Sequence, residues 1–155
     1  MMRRPRRFLA LSATQRRLFV GTWLALPVID LMLRVLGLQR TERILARGSA
    51  LPSVPRTPTP SEADIAAADA DAALLAIAGR YALGNGSCLR QALFLWWRLR
   101  RRGLRPEVRI GVTLQEGFAA HAWVELDGRP LAQPPEQHGR FVPMEVFARG
   151  LPRRA

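Results

Sequence analysis

The first part of the chain carries apolar residues at helical spacing. Between residues 18 and 36 large apolar side chains recur every three or four positions, which predicts an amphipathic helix. Ser12 and Gln15 stand three residues apart, as in a capping box, and predict where this helix begins. We expect Pro27 to kink or divide the helix because proline lacks a backbone donor. We expect Gly37 to end it.

Three further helices are predicted before the pattern changes. A short helix at 41–47 is followed by G-S-A-L-P-S-V-P-R-T-P-T-P, whose prolines are typical of a stiff spacer. Thr59, with the P-S-E that follows it, predicts an N-cap, a proline at the first helical position and a capping glutamate. An alanine-rich helix is therefore expected from 60 to about 82. The next helix is predicted from 88 to about 102, with Gly103 at its end.

The C-terminal half alternates between apolar and polar positions, which is typical of β-strands. Such alternation occurs at 108–114 and again at 118–126. The dipeptide D-G at 127–128 predicts a two-residue hairpin turn into a third strand, from 129 to about 133. The apolar residues at 141–147 predict a strand edge or a short helix covering the sheet. The fold class is therefore α+β, with N-terminal helices followed by a small antiparallel sheet.

These segments divide the chain into amphipathic helices at 1–47, a proline-rich connector at 48–59 and a main domain at 60–155. The N-terminal helices are expected either to pack on the main domain as a helical hairpin or to dock on a membrane surface or a partner. The apolar run 18–29 reaches only about twelve residues before Asp30, whereas a bilayer span needs about twenty. We therefore expect a cytoplasmic protein, with peripheral membrane contact as an option.

Composition narrows the range of partners and cofactors. The chain has 24 basic residues, all arginine, and 12 acidic residues, so its formal net charge is +12. Such a charge attracts acidic partners. Nucleic acid is disfavoured because the arginines form no helix-turn-helix surface, ribonucleoprotein motif or aromatic platform. One cysteine and two distant histidines give no disulfide framework and no convincing metal site, so no metal or other cofactor is predicted.

The single cysteine stands where a glycine-containing loop changes into a helix. The free amides and dipole of a helix N-terminus lower a thiol pKa and can stabilise an oxyanion, which makes Cys88 a candidate nucleophile. Gly84 and Gly86 leave room for a peptide backbone, with Asn85 between them as a candidate substrate contact. His121 lies in a predicted strand, opposite the apolar face, and can act as general base and acid. The alternative is a small buried cysteine and a hydrogen-bonded histidine without catalysis.

Four segments resemble the leader peptidases of lasso-peptide biosynthesis, which are microcin-processing, transglutaminase-like and papain-related cysteine proteases. They read C-L-R-Q-A-L-F-L-W-W-R-L-R-R-R-G, E-V-R-I-G-V, A-H-A-W-V-E-L-D-G-R-P-L and R-F-V-P-M. The resemblance runs from about residue 82 to residue 147, and A-H-A-W-V-E is its most specific part. It implies a transglutaminase-like core in which Cys88 is the nucleophile and His121 the general base and acid.

The resemblance also implies a substrate and partners. Such an enzyme removes the leader from a ribosomally made precursor peptide, and a separate ATP-using cyclase then forms the macrolactam. Some family members carry a fused leader-recognition domain that is rich in strands. Nothing before Cys88 shows that pattern. We therefore expect a separate leader-recognition protein as a partner.

The third catalytic residue is less well defined. The family has an acidic residue about a dozen positions after the histidine, and that position is Gln133 here. Glutamine can hydrogen-bond the imidazole and fix its tautomer, but it offers no full charge. A simple hairpin register places Gln133 opposite Ala122, on the wrong face, so a bulge is needed. Glu136 is an alternative if the loop folds back, whereas Asp127 fits a turn residue better.

Aromatic and basic residues suggest how a peptide is bound. Trp97 and Trp123 are predicted to line a peptide groove, whereas Trp96 fits the core. The arginines at 98–102 fit either a grip on an acidic leader or a solvated helix end. Two other functions stay open: another transglutaminase-like amide hydrolase or acyltransferase, and a non-enzymatic basic scaffold that presents a peptide within a maturation complex.

Overall fold

The structure, a computed structural model, describes residues 12–49, 59–80, 88–114, 117–132 and 140–144. In these ranges the helices are α1 (Ala13–Leu36), α2 (Leu38–Ser49), α3 (Glu62–Gly79) and α4 (Cys88–Arg101). The strands are β1 (Pro106–Thr113), β2 (Ala119–Leu126), β3 (Arg129–Pro130) and β4 (Val142–Pro143). They form an antiparallel sheet in the order β3-β2-β1-β4. The predicted α+β class, with helices before a small antiparallel sheet, is confirmed.

Helix α1 begins and ends at the predicted residues. The Ser12 hydroxyl accepts from the Gln15 N–H at 3.2 Å, and the Gln15 side chain accepts from the Ser12 N–H at 2.9 Å. Gly37 ends the helix with φ +73°. The expectation that Pro27 divides it is wrong, because α1 continues through this residue. Pro27 is exposed, and packing of the opposite face holds the helix together across the missing hydrogen bond.

Helix α3 has a different N-cap from the predicted one. The cap is Ser61 and not Thr59, and the helix begins at Glu62. The Ser61 hydroxyl accepts from the Asp64 N–H at 3.2 Å, and the Asp64 carboxylate accepts from the Ser61 N–H at 3.1 Å. Thr59 and Ser61 each stand three residues before an acidic residue, so the sequence offers two overlapping boxes. The serine–aspartate box is the one that forms.

The helices and one face of the sheet share a single hydrophobic core. Helix α4 packs on β1 and β2, while α1 packs on α3 and α4. The core draws on every one of these layers, including Leu18, Leu26, Ile29, Leu75, Leu93, Leu99, Val124 and Leu126. A salt bridge of 3.2 Å joins Asp30 of α1 to Arg90 of α4, whose side chain is only 6% exposed. The first helices are therefore built into the same core as the sheet.

Helix α1 also meets the length and composition of a membrane span. Among the described residues it is the one helix that does so, with 24 residues and a mean hydropathy of 1.7 over its most apolar stretch. The sequence analysis counted only the run 18–29 and found it too short. The helix and its apolar pattern continue past Asp30, whose carboxylate is paired with Arg90.

The two long strands pair along their whole length, from Pro106 opposite Leu126 to Thr113 opposite Ala119. The turn at 127–128 has positive φ at both residues, 54° and 73°, as the dipeptide D-G predicts. Strand β4 pairs with the other edge of β1. The predicted strand edge from the tail is therefore confirmed for Val142–Pro143.

The third strand is shorter than predicted. It ends at Pro130 and does not reach 133. The Leu131 N–H still donates to the Val124 carbonyl at 2.9 Å. Ala132 then adopts φ +50°, and its N–H donates to Asp69 Oδ1 of α3 at 2.6 Å. The chain leaves the ladder here because the Asp69 carboxylate binds the Ala132 amide.

Candidate active site

Cys88 is the first residue of α4, and it lies half-buried beside His121. The imidazole donates a hydrogen bond to its sulfur, and the backbone N–H groups of Ala122 and Leu89 do the same. The His121 hydrogen bond is the main cause that lowers the pKa of the Cys88 thiol, and burial acts in the opposite direction. The two predicted catalytic residues are thus brought together, and their contact makes the thiolate easier to form than in an ordinary cysteine.

Part of one edge of β2 is not covered by β3, which allows Cys88, at the start of α4, to lie against this strand. Strand β3 pairs with β2 only at Glu125 and Leu126, followed by the single bond at Val124. Alternate residues of a strand direct their backbone groups to the same edge, so the Ala122 N–H points to the side of Val124. No β3 residue covers Ala122 in the described ladder, and Cys88 lies there instead.

Two aromatic rings contact the His121 imidazole. The Trp123 ring lies nearly parallel to it, with centroids 6.0 Å apart and an interplanar angle of 21°. The Phe141 ring lies at 5.2 Å and 39°. The sequence analysis did not single out Phe141 as a site residue. Its signal was its place in R-F-V-P-M, which leads into the strand that pairs beside Gly111. These contacts restrict the orientation of the imidazole.

Gly111 makes room for this aromatic group. It pairs with His121 across the β1–β2 ladder, so both residues lie on one face of the sheet. An added Cβ would lie 2.9 Å from the Trp123 ring and 2.8 Å from Phe141 Cβ. No side chain larger than hydrogen fits without moving one of these residues. The sequence analysis also missed this requirement, since a glycine within a strand is its only signal.

Hydrogen bonds fix the other end of the Trp123 ring. Its indole N–H donates to Glu125 Oε1 at 2.9 Å. Arg109 Nε donates to Glu125 Oε2 at 3.0 Å, and a second nitrogen of Arg109 contacts Glu107 at 2.7 Å. Trp123, which was predicted to bind substrate, is among the residues that line the small pocket beside Cys88 and His121. The residue is only 3% exposed, and its indole N–H is already bound to Glu125. In the structure it supports the imidazole of His121.

A small pocket of about 80 Å³ opens beside the catalytic pair. Its walls come from α3, α4, β2 and the turn after β3, and include Ala72, Leu75, Ala76, Leu95, Leu131 and Ala132. Gln91 also lines it, three residues after Cys88 and thus on the same side of α4. This glutamine is a polar site residue that the sequence analysis missed. The i, i+3 spacing from the cysteine was the available signal.

Several predicted positions lie outside the described residues. They are the third catalytic candidates Gln133 and Glu136, the substrate candidate Asn85, and the loop glycines Gly84 and Gly86. The remaining candidate, Asp127, is an exposed turn residue with φ 54°. It fits the turn interpretation.

Trp97 lies apart from the catalytic pair. It stacks on Phe94 with centroids 5.9 Å apart, and the Arg101 guanidinium lies 4.9 Å from its ring centre. It lies nine positions after Cys88 in α4, which is about 13.5 Å along the helix axis. It is not among the residues that line the pocket. Trp96, by contrast, is buried in the core as predicted.

The arginines at the end of α4 already have partners within the domain. Arg98 and Arg102 contact Asp71 at 3.1 and 3.4 Å. Arg100 lies over the Trp96 ring at 4.8 Å. These contacts fit the interpretation of 98–102 as a helix end better than a grip on a peptide. Among the described residues, no group of three or more histidine, cysteine, aspartate or glutamate side chains is placed to hold a metal ion.

Comparison with known proteins places this chain in a family. The family model described as "Transglutaminase-like superfamily" matches residues 29–146, which include both Cys88 and His121. Searches of curated proteins and of solved structures each found no match. The family is generally enzymatic and contains cysteine proteases and acyltransferases, whose chemistry fits a thiolate paired with a histidine. The chain, with its cysteine at a helix start and its histidine on the adjoining strand, belongs to the transglutaminase-like superfamily.

Proposed function

We propose that this protein is a cysteine endopeptidase that removes the leader from a ribosomally synthesised lasso precursor peptide. The observation that carries the proposal is the hydrogen bond from His121 to Cys88, with the lowered thiol pKa that it produces. The substrate class is supported by the resemblance of the α4, β1 and β2 sequences, above all A-H-A-W-V-E, to lasso leader peptidases.

The first half of the proposed reaction forms a thioester. The Cys88 thiolate attacks the carbonyl carbon of the last leader residue, and the carbonyl oxygen becomes an oxyanion. Free amides in the first turn of α4 stabilise this charge. The C–N bond then breaks, and His121 gives its proton to the leaving amine. The products are the core peptide with a free N-terminus and a leader joined to Cys88.

The second half releases the leader. Neutral His121 removes a proton from a water molecule, whose oxygen attacks the thioester carbonyl. Collapse of this intermediate expels the Cys88 thiolate, which the imidazolium again stabilises. The leader leaves with a new carboxyl group. If an amine replaced the water molecule, the same thioester would give acyl transfer, which is the related alternative.

The proposal includes partners and a cellular site. A separate leader-recognition protein delivers the precursor, and a lasso cyclase consumes the freed amine in a reaction that needs ATP. Both the precursor and ATP are available in the cytoplasm, which is the location that we propose. The compact pocket of about 80 Å³ beside the catalytic pair holds one small side chain of the peptide.

The test combines this protein with the precursor peptide encoded beside its gene and the neighbouring recognition protein. Mass spectrometry should detect leader release by the wild type and none by Cys88→Ala or His121→Ala. Trp97→Phe, which changes a ring outside the pocket, should retain the wild-type rate. Leader release by both catalytic variants would contradict the proposed peptidase chemistry at Cys88 and His121. A new amide to an added amine would favour acyl transfer.

A further inference from the structure

Helix α1 is apolar on two opposite faces. The inner face, with Leu18, Leu26 and Ile29, belongs to the core. The other face carries an apolar line that we call the outer stripe: Val20, Leu24, Val28, Leu31 and Val35. Each of these side chains is between 45% and 70% exposed. Their spacing of three and four residues keeps them on one side of the helix, over a length of about 22 Å.

The charges around the outer stripe have one sign. Arg16 and Arg17 are exposed in the first turns of the helix, and the Arg34 side chain is 75% exposed near its end. The helix has one acidic residue, Asp30, which is paired with both Arg34 and Arg90. The chain as a whole carries a formal charge of +12. An apolar stripe flanked by arginines is complementary to an anionic lipid bilayer, in which negatively charged headgroups cover apolar acyl chains.

We propose that α1 lies in the plane of an anionic lipid bilayer, with the outer stripe in the acyl boundary and its arginines against the phosphate headgroups. Trp23, which is 45% exposed on this helix, suits the interfacial region. A second copy of the chain fits the stripe less well, because pairing two stripes brings like charges together.

The contacts of the inner face favour a helix on the bilayer over one that crosses it. A spanning α1 would withdraw Leu26 and Ile29 from the core. It would also separate Asp30 from the buried Arg90 and place the Asp30 carboxylate in hydrocarbon. In-plane binding preserves all these contacts and covers only the outer stripe.

The test measures binding to vesicles, so it does not depend on the proposed peptidase activity. The full chain should co-sediment with vesicles of phosphatidylcholine and phosphatidylglycerol, bind poorly to phosphatidylcholine alone, and dissociate as salt is raised. The double variant Leu24→Gln/Leu31→Gln should bind the anionic vesicles at least about tenfold more weakly. Because both side chains are exposed, its thermal unfolding should stay close to that of the wild type.

The matched control is Ile77→Gln/Leu114→Gln, which removes two exposed apolar side chains outside α1. It should bind anionic vesicles as tightly as the wild type. Equal weakening of both double variants would overturn the proposal, as would a wild type that ignores anionic vesicles. Analytical ultracentrifugation without lipid tests whether the outer stripe instead binds a second copy of the chain. A wild-type dimer that the Leu24/Leu31 variant abolishes, without vesicle binding, would assign the stripe to a second copy and overturn the proposal.

Discussion

The ring of Trp123 occupies the space that a side chain on Gly111 would need. An added Cβ would lie 2.9 Å from a ring carbon, and His121 stacks on the same ring. The orientation of the His121 imidazole therefore depends on Gly111, in the neighbouring strand, having no side chain.

Gly111→Ala should reduce catalysis more than it reduces stability. The new methyl group displaces Trp123 or Phe141 and shifts the imidazole, and small displacements of catalytic groups cost about tenfold to a hundredfold in rate. Overpacking should lower the free energy of unfolding by about 1–3 kcal/mol. The measurements are kcat/KM for leader release and urea unfolding. Gly128→Ala is the control, because its φ of +73° strains any side chain but nothing lies within 4 Å. Equal activity losses in the two variants would argue against a special role for Gly111.

Alkylation of Cys88 should become half-maximal at a lower pH than that of an ordinary thiol. The folded-state pKa is lowered, chiefly by the His121 hydrogen bond, so the thiolate persists as the pH falls below the unfolded pKa of about 8.5. The corresponding contribution to stability is present above the unfolded pKa and is lost as the pH falls through the folded pKa. Iodoacetamide rates followed by mass spectrometry report one site, since the chain has one cysteine.

The same titration on His121→Ala should show its midpoint at a higher pH, because the main cause of the lowered thiol pKa is removed. The urea-denatured wild type supplies the reference for a free thiol. Coincident midpoints in the folded wild type and the denatured chain would contradict the hydrogen bond described for this pair.

Asp30→Ala should destabilise the protein far more than Arg34→Ala. The first change leaves the buried Arg90 guanidinium without its carboxylate, and we expect a loss of about 2 kcal/mol because Asp30 is itself partly exposed. The second removes an exposed i, i+4 partner at 2.9 Å, which is worth about 0.3–0.5 kcal/mol. Urea denaturation measures both. Similar losses would mean that α1 is not held to α4 through this pair.

Glu125→Ala should lower both stability and activity, whereas Glu125→Gln should preserve more of each. The carboxylate accepts from the Trp123 indole and from Arg109. Alanine removes the carboxylate acceptor of the indole N–H in a buried site, which should lower the free energy of unfolding by about 2 kcal/mol. Glutamine retains an acceptor for the indole and loses mainly the charge of the pair with Arg109. Urea unfolding and the rate of leader release distinguish the two variants. Equal losses of stability and of rate in both variants would mean that the hydrogen bond from Trp123 is unimportant.

Local signals predicted most of the fold. The capping residues of α1, the glycines at 37 and 103, the switch from helical spacing to alternation and the D-G turn each depend on a few neighbouring residues. The errors arose where distant residues decide. Pro27 stays within a helix because the opposite face is packed in the core. The third strand ends early because Asp69, from another helix, binds the Ala132 amide.

The site followed the same division. Cys88 and His121 were predictable because the start of a helix and the face of a strand can be recognised from neighbouring residues in the sequence. Phe141, Gly111 and Gln91 carried only weak sequence signals, because their roles arise from strand pairing and from the approach of α4 to β2. The sequence analysis did not pair Trp123 with Glu125, although Glu125 lies two residues away on the same face and can bind the indole.

The length of the β2–β3 hairpin determines whether the Ala122 N–H can bind Cys88. Continued in register, this hairpin would place Gln133 opposite Ala122, and the carbonyl of the new partner would bind the Ala122 N–H. That amide now donates to Cys88. The Ala122 N–H can therefore either pair with a longer β3 or stabilise the Cys88 thiolate, but not both. Lengthening β3 by a few residues would withdraw this donor from Cys88 and raise its thiol pKa, while the larger effect of the His121 hydrogen bond would remain.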